Sequence, residues 1–459
     1  MFKLLFAFTI LKPQNMKHKL LLCLLWCATS FAAVAQTKGN KIEFTEYTLP
    51  NGLHVILHQD KSTPNVAVSV LYHVGSKNEV EGRSGFAHFF EHLMFEGTEN
   101  IDRGQFSSLV QKAGGALNAN TSFDRTYYYE LLPSNQVALG LWLEAERMKH
   151  AKIDEVGVET QRKVVQEEKR ERIDNQPYGS MGENVFALAY TKHPYKTMPI
   201  GSFKDLNAAS IEEFRDFYKT FYVPNNATLS VAGDIDMEAT KKLIEKYFAS
   251  IPKGTKEIPR PEIVEPKQTE ERRKTVYDNI QLPAVIQAYH IPAQGTKDYY
   301  ALSMLTTLLS GGESARLPKA LVDKQQKAVV ASSIPFPTED PGLFLTFAVA
   351  NMGVEVDDLE KAMNAEIERV KTETLEDREF QKLRNQVESD FIQQSSTVAG
   401  RAENLANYHV YFGDANLINT ELKRYMDVTK EDIKRVANEY LTKNNRVVLH
   451  YLPKSAQPK

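Results

Sequence analysis

His88-Phe89-Phe90-Glu91-His92 is the part of the chain whose residue types and spacing can do chemistry. On a helix, positions i and i+4 share a face, so His88 and His92 project together. Two imidazoles so placed can hold one Zn²⁺ at about 2.0–2.1 Å each. Glu91 lies on the same side, within reach of a water beside such an ion. In sequence the arrangement is H-x-x-E-H. Phe86, Phe89, Phe90, Leu93 and Met94 surround the three polar groups with apolar side chains. Three polar groups on the flank of so apolar a helix are costly to bury without partners.

A catalytic zinc takes a third protein ligand and keeps one position open. The helical stretch read at 156–173 offers Glu159, Glu167, Glu168 and Glu171. Chemistry alone leaves these four open, and most of them must simply be a solvated acidic face. A structural zinc site is disfavoured, since such sites close with four protein ligands, commonly cysteines. The chain has 2 Cys, Cys23 and Cys27, both inside the N-terminal apolar stretch described below. The chain beyond that stretch has no disulfide and no thiolate chemistry.

The elements that must position these groups read as mixed α and β. Residues 43–48 and 53–59 flank Pro50-Asn51-Gly52, a hairpin signal. Residues 66–74 are a third strand, 85–95 a helix, and 105–113 a short helix closed by Gly114-Gly115. Residues 118–132, rich in Thr and Tyr, read as one strand, and 136–150 as a helix. Tyr127-Tyr128-Tyr129 is read as sheet packing rather than a substrate cage. Pro259, Pro261 and Pro266, with Pro252 just before them, mark a linker at 253–267. Patterns recur across it. Ser210-Ile-Glu-Glu and Thr429-Lys-Glu-Asp open capped helices, and Asn225-Asn226 and Asn444-Asn445 precede strands at the same offset. Val68-Ser-Val-Leu-Tyr-His73 likewise resembles Val285-Ile-Gln-Ala-Tyr-His290. The expected fold is α+β: two homologous domains, 36–252 and 268–459, each a mainly antiparallel sheet packed with helices, arising by duplication.

At 459 residues the chain exceeds what one core usually organises. Its 42% hydrophobic and 25% charged residues are ordinary globular composition, and a formal net charge of −3 gives no sign of nucleic-acid binding. Met16-Lys17-His18-Lys19, the apolar run from Leu20 to Ala35 and the small-x-small Ala33-Val34-Ala35 read as a cleaved export signal with an upstream extension, so Met16 is the expected start. The apolar run is shorter than the roughly 20 residues a span needs, so residues 1–35 are removed and no membrane span is left. The protein is expected to be exported, periplasmic or secreted.

Taken together, Gly85-Phe-Ala-His88-Phe-Phe-Glu91-His92-Leu-Met-Phe-Glu-Gly97-Thr98, Gly114-Gly115-Ala116-Leu117-Asn118-Ala119-Asn120-Thr121 and Gln161-Arg-Lys-Val-Val-Gln-Glu167-Glu168 resemble the pitrilysin/insulysin family of inverzincin metallopeptidases. The likeness is to small two-domain members such as the catalytic subunit of mitochondrial processing peptidase. By count both Glu167 and Glu168 fit the family's third ligand, and the second glutamate of Val-Val-x-Glu-Glu selects Glu168. The resemblance thus implies Zn²⁺ on His88, His92 and Glu168, with Glu91 as general base. It places a supporting glutamate at 161, where this chain has Gln161, an amide able to orient a ligand by hydrogen bonding. It implies that Asn118 and Ala119, on a strand at the sheet edge, bind the substrate backbone by strand addition. The family's Arg and Tyr in the second domain fall on Val322 and Val329, and both are lost. The second domain also has no histidine pair where the first has its zinc helix; residues 302–311 are apolar there. The implied function is zinc-dependent endopeptidase, hydrolysing peptides or unfolded segments, as the zinc subunit of a two-chain enzyme. Its partner would be a homologous chain carrying the Arg/Tyr pair, or a second copy in a homodimer. The rival reading is a non-catalytic peptide-binding or assembly subunit, against which the retained Glu91 stands.

Overall fold

Three strands open the first half: β1 (Thr45–Thr48), β2 (His54–Gln59) and β3 (Asn65–Tyr72), the last buried along nearly its whole length. The computed structural model describes residues 41–458, so the segment read as an export signal lies outside the described residues. β1 and β2 pair antiparallel around the expected turn, where Gly52 sits at φ 91°, a left-handed conformation that glycine adopts freely.

Residues 118–132 are not one strand. They form a hairpin of β4 (Ala116–Thr121) and β5 (Thr126–Pro133). The cause is local: the Ser122 hydroxyl accepts from the backbone N–H groups of Asp124 and Arg125, and Ser122 N–H donates to Arg125 O at 2.8 Å, closing a turn that a Thr- and Tyr-rich composition hides. β6 (Ala227–Gly233) completes a six-stranded sheet ordered β1-β2-β6-β3-β5-β4.

The second half builds β7 (Arg272–Asp278), β8 (Ala284–His290), β9 (Ala328–Phe336), β10 (Leu343–Ala350) and β11 (Arg446–Pro453), ordered β7-β11-β8-β10-β9. That order matches β2-β6-β3-β5-β4 strand for strand, including one parallel pair in each sheet, β2 with β6 and β7 with β11, among otherwise antiparallel neighbours. The α+β fold and its internal duplication are thus visible in topology. The Pro-rich stretch 253–267 carries no regular secondary structure. No helix among the described residues is long and apolar enough to cross a membrane.

Each sheet packs its own helices into a separate apolar core. A third apolar cluster joins the halves. In it the helix Met181–Ala189, from the first half, lies on β8 and β11 of the second sheet, burying Val185 and Phe186 against Ile286 and Leu449. Reciprocally, the helix Val398–Phe412 of the second half lies across β3 and β6 of the first sheet, with Ala402 packed on Ala67 and Ala232. Arg401 pairs with Asp60 and Arg125 with Glu403, fixing this second helix. The small alanines let helix and sheet backbones approach closely. From Glu43 onward the chain is one compact unit.

Candidate metal centre

The helix Phe86–Leu93 owes its place to its aromatic side. Phe86, Phe89, Phe90 and Leu93 are fully buried, each contributing about 1.5–3 kcal/mol. Phe86 and Phe89 lie 4.6 and 4.5 Å from the Phe214 ring, and Phe90 lies 5.0 Å from Tyr222. The Tyr128 hydroxyl, from β5, donates to Phe90 O at 2.9 Å. The helix opens at Gly85, with φ 93°, where a Cβ would stand 2.9 Å from Ile200 O. The half-buried carboxylate of Glu79 accepts from the N–H groups of Gly85 and Ala87 at 2.9 Å each, satisfying donors that begin the helix. Burial pushes that carboxyl up to about 8 against the pull of those donors.

His88, Glu91 and His92 then emerge on one side, their ligand atoms within 4.8 Å of one another. The helix Glu155–Lys169, started by the Asp154 side chain on Gly157 N–H, brings Glu168 opposite them. Glu168 Oε2 lies 3.0 Å from His92 Nε2 and 3.6 Å from His88 Nε2. Two donors bound to one tetrahedral zinc at about 2.0–2.2 Å stand roughly 3.4 Å apart. Glu168 Oε2 and His88 Nδ1 are both buried without a hydrogen-bond partner. A cation between the three side chains would satisfy the orphaned carboxylate oxygen, so the donor set fits zinc. Burial, then the neighbouring His92, lowers His88 to about 4, the neutral form a ligand needs. Glu168 is held below the usual carboxylate range, chiefly by His92 and against its own desolvation.

The other acidic candidates turn away. Glu159 and Glu167 are 60% and 57% exposed and pair with Arg162 and Arg170 on their own helix. Glu171 falls in a wider helical turn, Arg170–Asp174, and is exposed. Glu91 accepts from Thr121 Oγ1 at 2.6 Å. Burial raises its carboxyl, and the Thr121 bond opposes that.

Among the described residues, the Gln161 side chain makes no hydrogen bond to a histidine. Its amide donates to the buried carboxylate of Glu96, which also takes the Arg103 guanidinium, while Arg103 Nη2 reaches Asp154 Oδ1 at 3.0 Å. A glutamate at 161 would set two carboxylates together, so the departure at 161 and Glu96 belong together. Gln161 Oε1 is buried without a partner.

β4 pairs only with β5 and is the outer strand of its sheet. It carries Asn118 and Ala119, three and two positions before Thr121. The Asn118 side chain accepts from Ala119 N–H at 2.9 Å. Tyr127 and Tyr128 are buried, consistent with packing. Val322 is half-buried against the second core, and Val329 is 49% exposed on β9, the outer strand there. Sequence reasoning missed Glu79, Glu96 and Thr121. An acid shortly before a helix that opens on glycine is a weak signal for the first, and contacts made through space leave none for the others.

An H-x-x-E-H helix is the mark of inverzincin peptidases. The family model described as Insulinase (Peptidase family M16) matches residues 54–201, and the one described as Peptidase M16 inactive domain matches 208–387. A Helicobacter pylori protein named Zinc protease PqqE is 37% identical over 86% of this chain and 89% of its own. A probable mitochondrial-processing peptidase subunit beta from Arabidopsis thaliana is 26% identical over 86% of this chain and 75% of its own. The crystal structure of a protease from Helicobacter pylori superposes with a TM-score of 0.86 at 34% identity, covering 90% of this chain and 100% of that one. The chain belongs to the M16 peptidase family.

Proposed function

We propose that the chain is a zinc-dependent endopeptidase acting on peptides or unfolded segments. The observation that carries this is Glu168 Oε2, unpartnered and facing the Nε2 atoms of both His88 and His92. His88, His92 and Glu168 would hold the ion, which when bound supplies a Lewis acid that acidifies a water and polarises a carbonyl. Glu91 serves as general base. Thr121 holds its Oε2, leaving Oε1 to take the water's proton and pass it to the leaving amine. Its raised carboxyl suits the exchange, because a base and acid in one cycle works best near the operating pH. The outer strand β4 would hold the substrate in an extended form through Asn118 and Ala119. Gln161 orients its helix through Glu96.

Replacing Glu91 tests the reading directly. Glu91→Gln should keep the fold and the zinc while cleavage of an unstructured peptide falls by several orders of magnitude. Cleavage at the unmodified rate would refute the mechanism.

A two-chain assembly has its own support in Val322 and Val329, which offer neither charge nor hydroxyl where the family has Arg and Tyr. A homologous partner chain would supply that pair. The leader at 1–35 supports export to the periplasm or beyond.

A further inference from the structure

A second group of metal-ligand side chains lies where the two halves meet. Glu46 stands on β1 and His54 on β2, and the helix Val398–Phe412 brings His409 from the second half. The three residues offer ligand atoms that all lie within 4.8 Å of one another. The imidazoles of His54 and His409 are stacked face to face, with centroids 3.5 Å apart and planes within 1°. His54 Nε2 is 3.2 Å from Glu46 Oε2, and its Nδ1 is 3.1 Å from Thr48 Oγ1. No hydrogen bond among the described residues is made by the ring nitrogens of His409.

From this geometry we infer that Glu46, His54 and His409 form a second binding site for a divalent transition metal, one that bridges the halves. Two imidazole nitrogens and one carboxylate oxygen are a donor set suited to Zn²⁺, with Cu²⁺ and Ni²⁺ as competitors. The 3.2 Å between His54 Nε2 and Glu46 Oε2 is close to the roughly 3.4 Å that separates two donors on one tetrahedral zinc. The torsion that turns an imidazole about its Cβ–Cγ bond is soft. Turning each ring about that bond, which opens the stack, would direct one nitrogen from each to a common point beside the carboxylate. The carboxylate supplies a negative charge against the dication, and at 43% exposure it leaves the site open to solvent, with room for water to complete the coordination. The hairpin β1–β2 and the helix carrying His409 belong to different halves, so an ion here fastens one to the other.

The site is distinct from the centre built on His88, His92 and Glu168, and the test exploits that. Full-length protein with His88→Ala and His92→Ala should retain about one equivalent of zinc in equilibrium dialysis against micromolar free metal. Adding His409→Gln, or Glu46→Gln, should weaken that binding at least about tenfold. Zinc should raise the melting temperature of the two-histidine variant and not that of its His409→Gln derivative. Retention below about 0.1 equivalent, or retention indifferent to His409→Gln, would overturn the proposal. As a second route that keeps the first centre, Co²⁺ titration of the unsubstituted protein should show two spectroscopically distinct equivalents. His409→Gln should abolish one, and a single equivalent throughout would overturn it.

Discussion

Thr121 Oγ1 donates to Glu91 Oε2 at 2.6 Å, joining the last residue of β4 to the H-x-x-E-H helix. The strand that would receive a peptide backbone is thereby tied to the carboxylate that would receive the proton. Thr121→Val removes the bond and leaves the shape. A hydrogen bond to a charged group is worth about 1.5–3 kcal/mol, so kcat should fall roughly ten- to a hundredfold. The sign of the pH effect follows. The Thr121 bond lowers the Glu91 carboxyl, so its loss raises it, and the acidic limb of the kcat profile should move to higher pH. An unmoved limb would show that Thr121 does not act on Glu91.

Glu168 faces the histidines and Glu167 faces solvent beside Arg170. Glu168→Gln should weaken zinc binding by a large factor in chelator competition, and Glu167→Gln should leave it nearly unchanged. The opposite order would transfer the ligand to Glu167.

The amide at 161 exists in the company of Glu96. Gln161→Glu should lower the melting temperature, by about 1.5–3 kcal/mol in stability, since it exchanges a hydrogen bond to a buried carboxylate for like-charge contact. Glu96→Gln in the same chain should restore most of the loss. Additive destabilisation in the double variant would separate the two residues.

Without an Arg or Tyr at 322 and 329, the isolated chain should cleave peptides slowly, since a donor to a developing oxyanion is worth about 10²–10³ in rate. Mixing with a homologous chain that carries the pair should raise the steady-state rate by a factor of that order. Full activity of the chain alone would remove the two-chain reading and leave the metal chemistry standing.

Much of the candidate centre could be read from the order of residues because its key spacing is local. His88, Glu91 and His92 are fixed by one helical turn, and that helix forms where periodicity places it. The duplication could be read because capping boxes and strand openings recur, and the strand orders agree. Glu168 needed the family pattern, since four glutamates fall in one helical stretch of the sequence and only the packed structure separates them. The break at Ser122–Arg125 was hidden because a hydroxyl folding back on its own backbone has no distinctive composition. Glu79 and Thr121 reach the helix across turns and between elements, where no periodicity registers.

The helices Met181–Ala189 and Val398–Phe412 each lie on the other half's sheet. They therefore interlock the halves topologically, and the Pro-rich stretch between them is a passage rather than a seam. A half-length ancestor would have had one sheet face bare unless a second copy returned the covering helix. Exchange of an identical element between two copies is a low-cost route to such a dimer. Fusion of that exchanged pair would give the present chain at once, with both helices already in place. On that route one copy would be free to keep the histidines while the other lost any need for them.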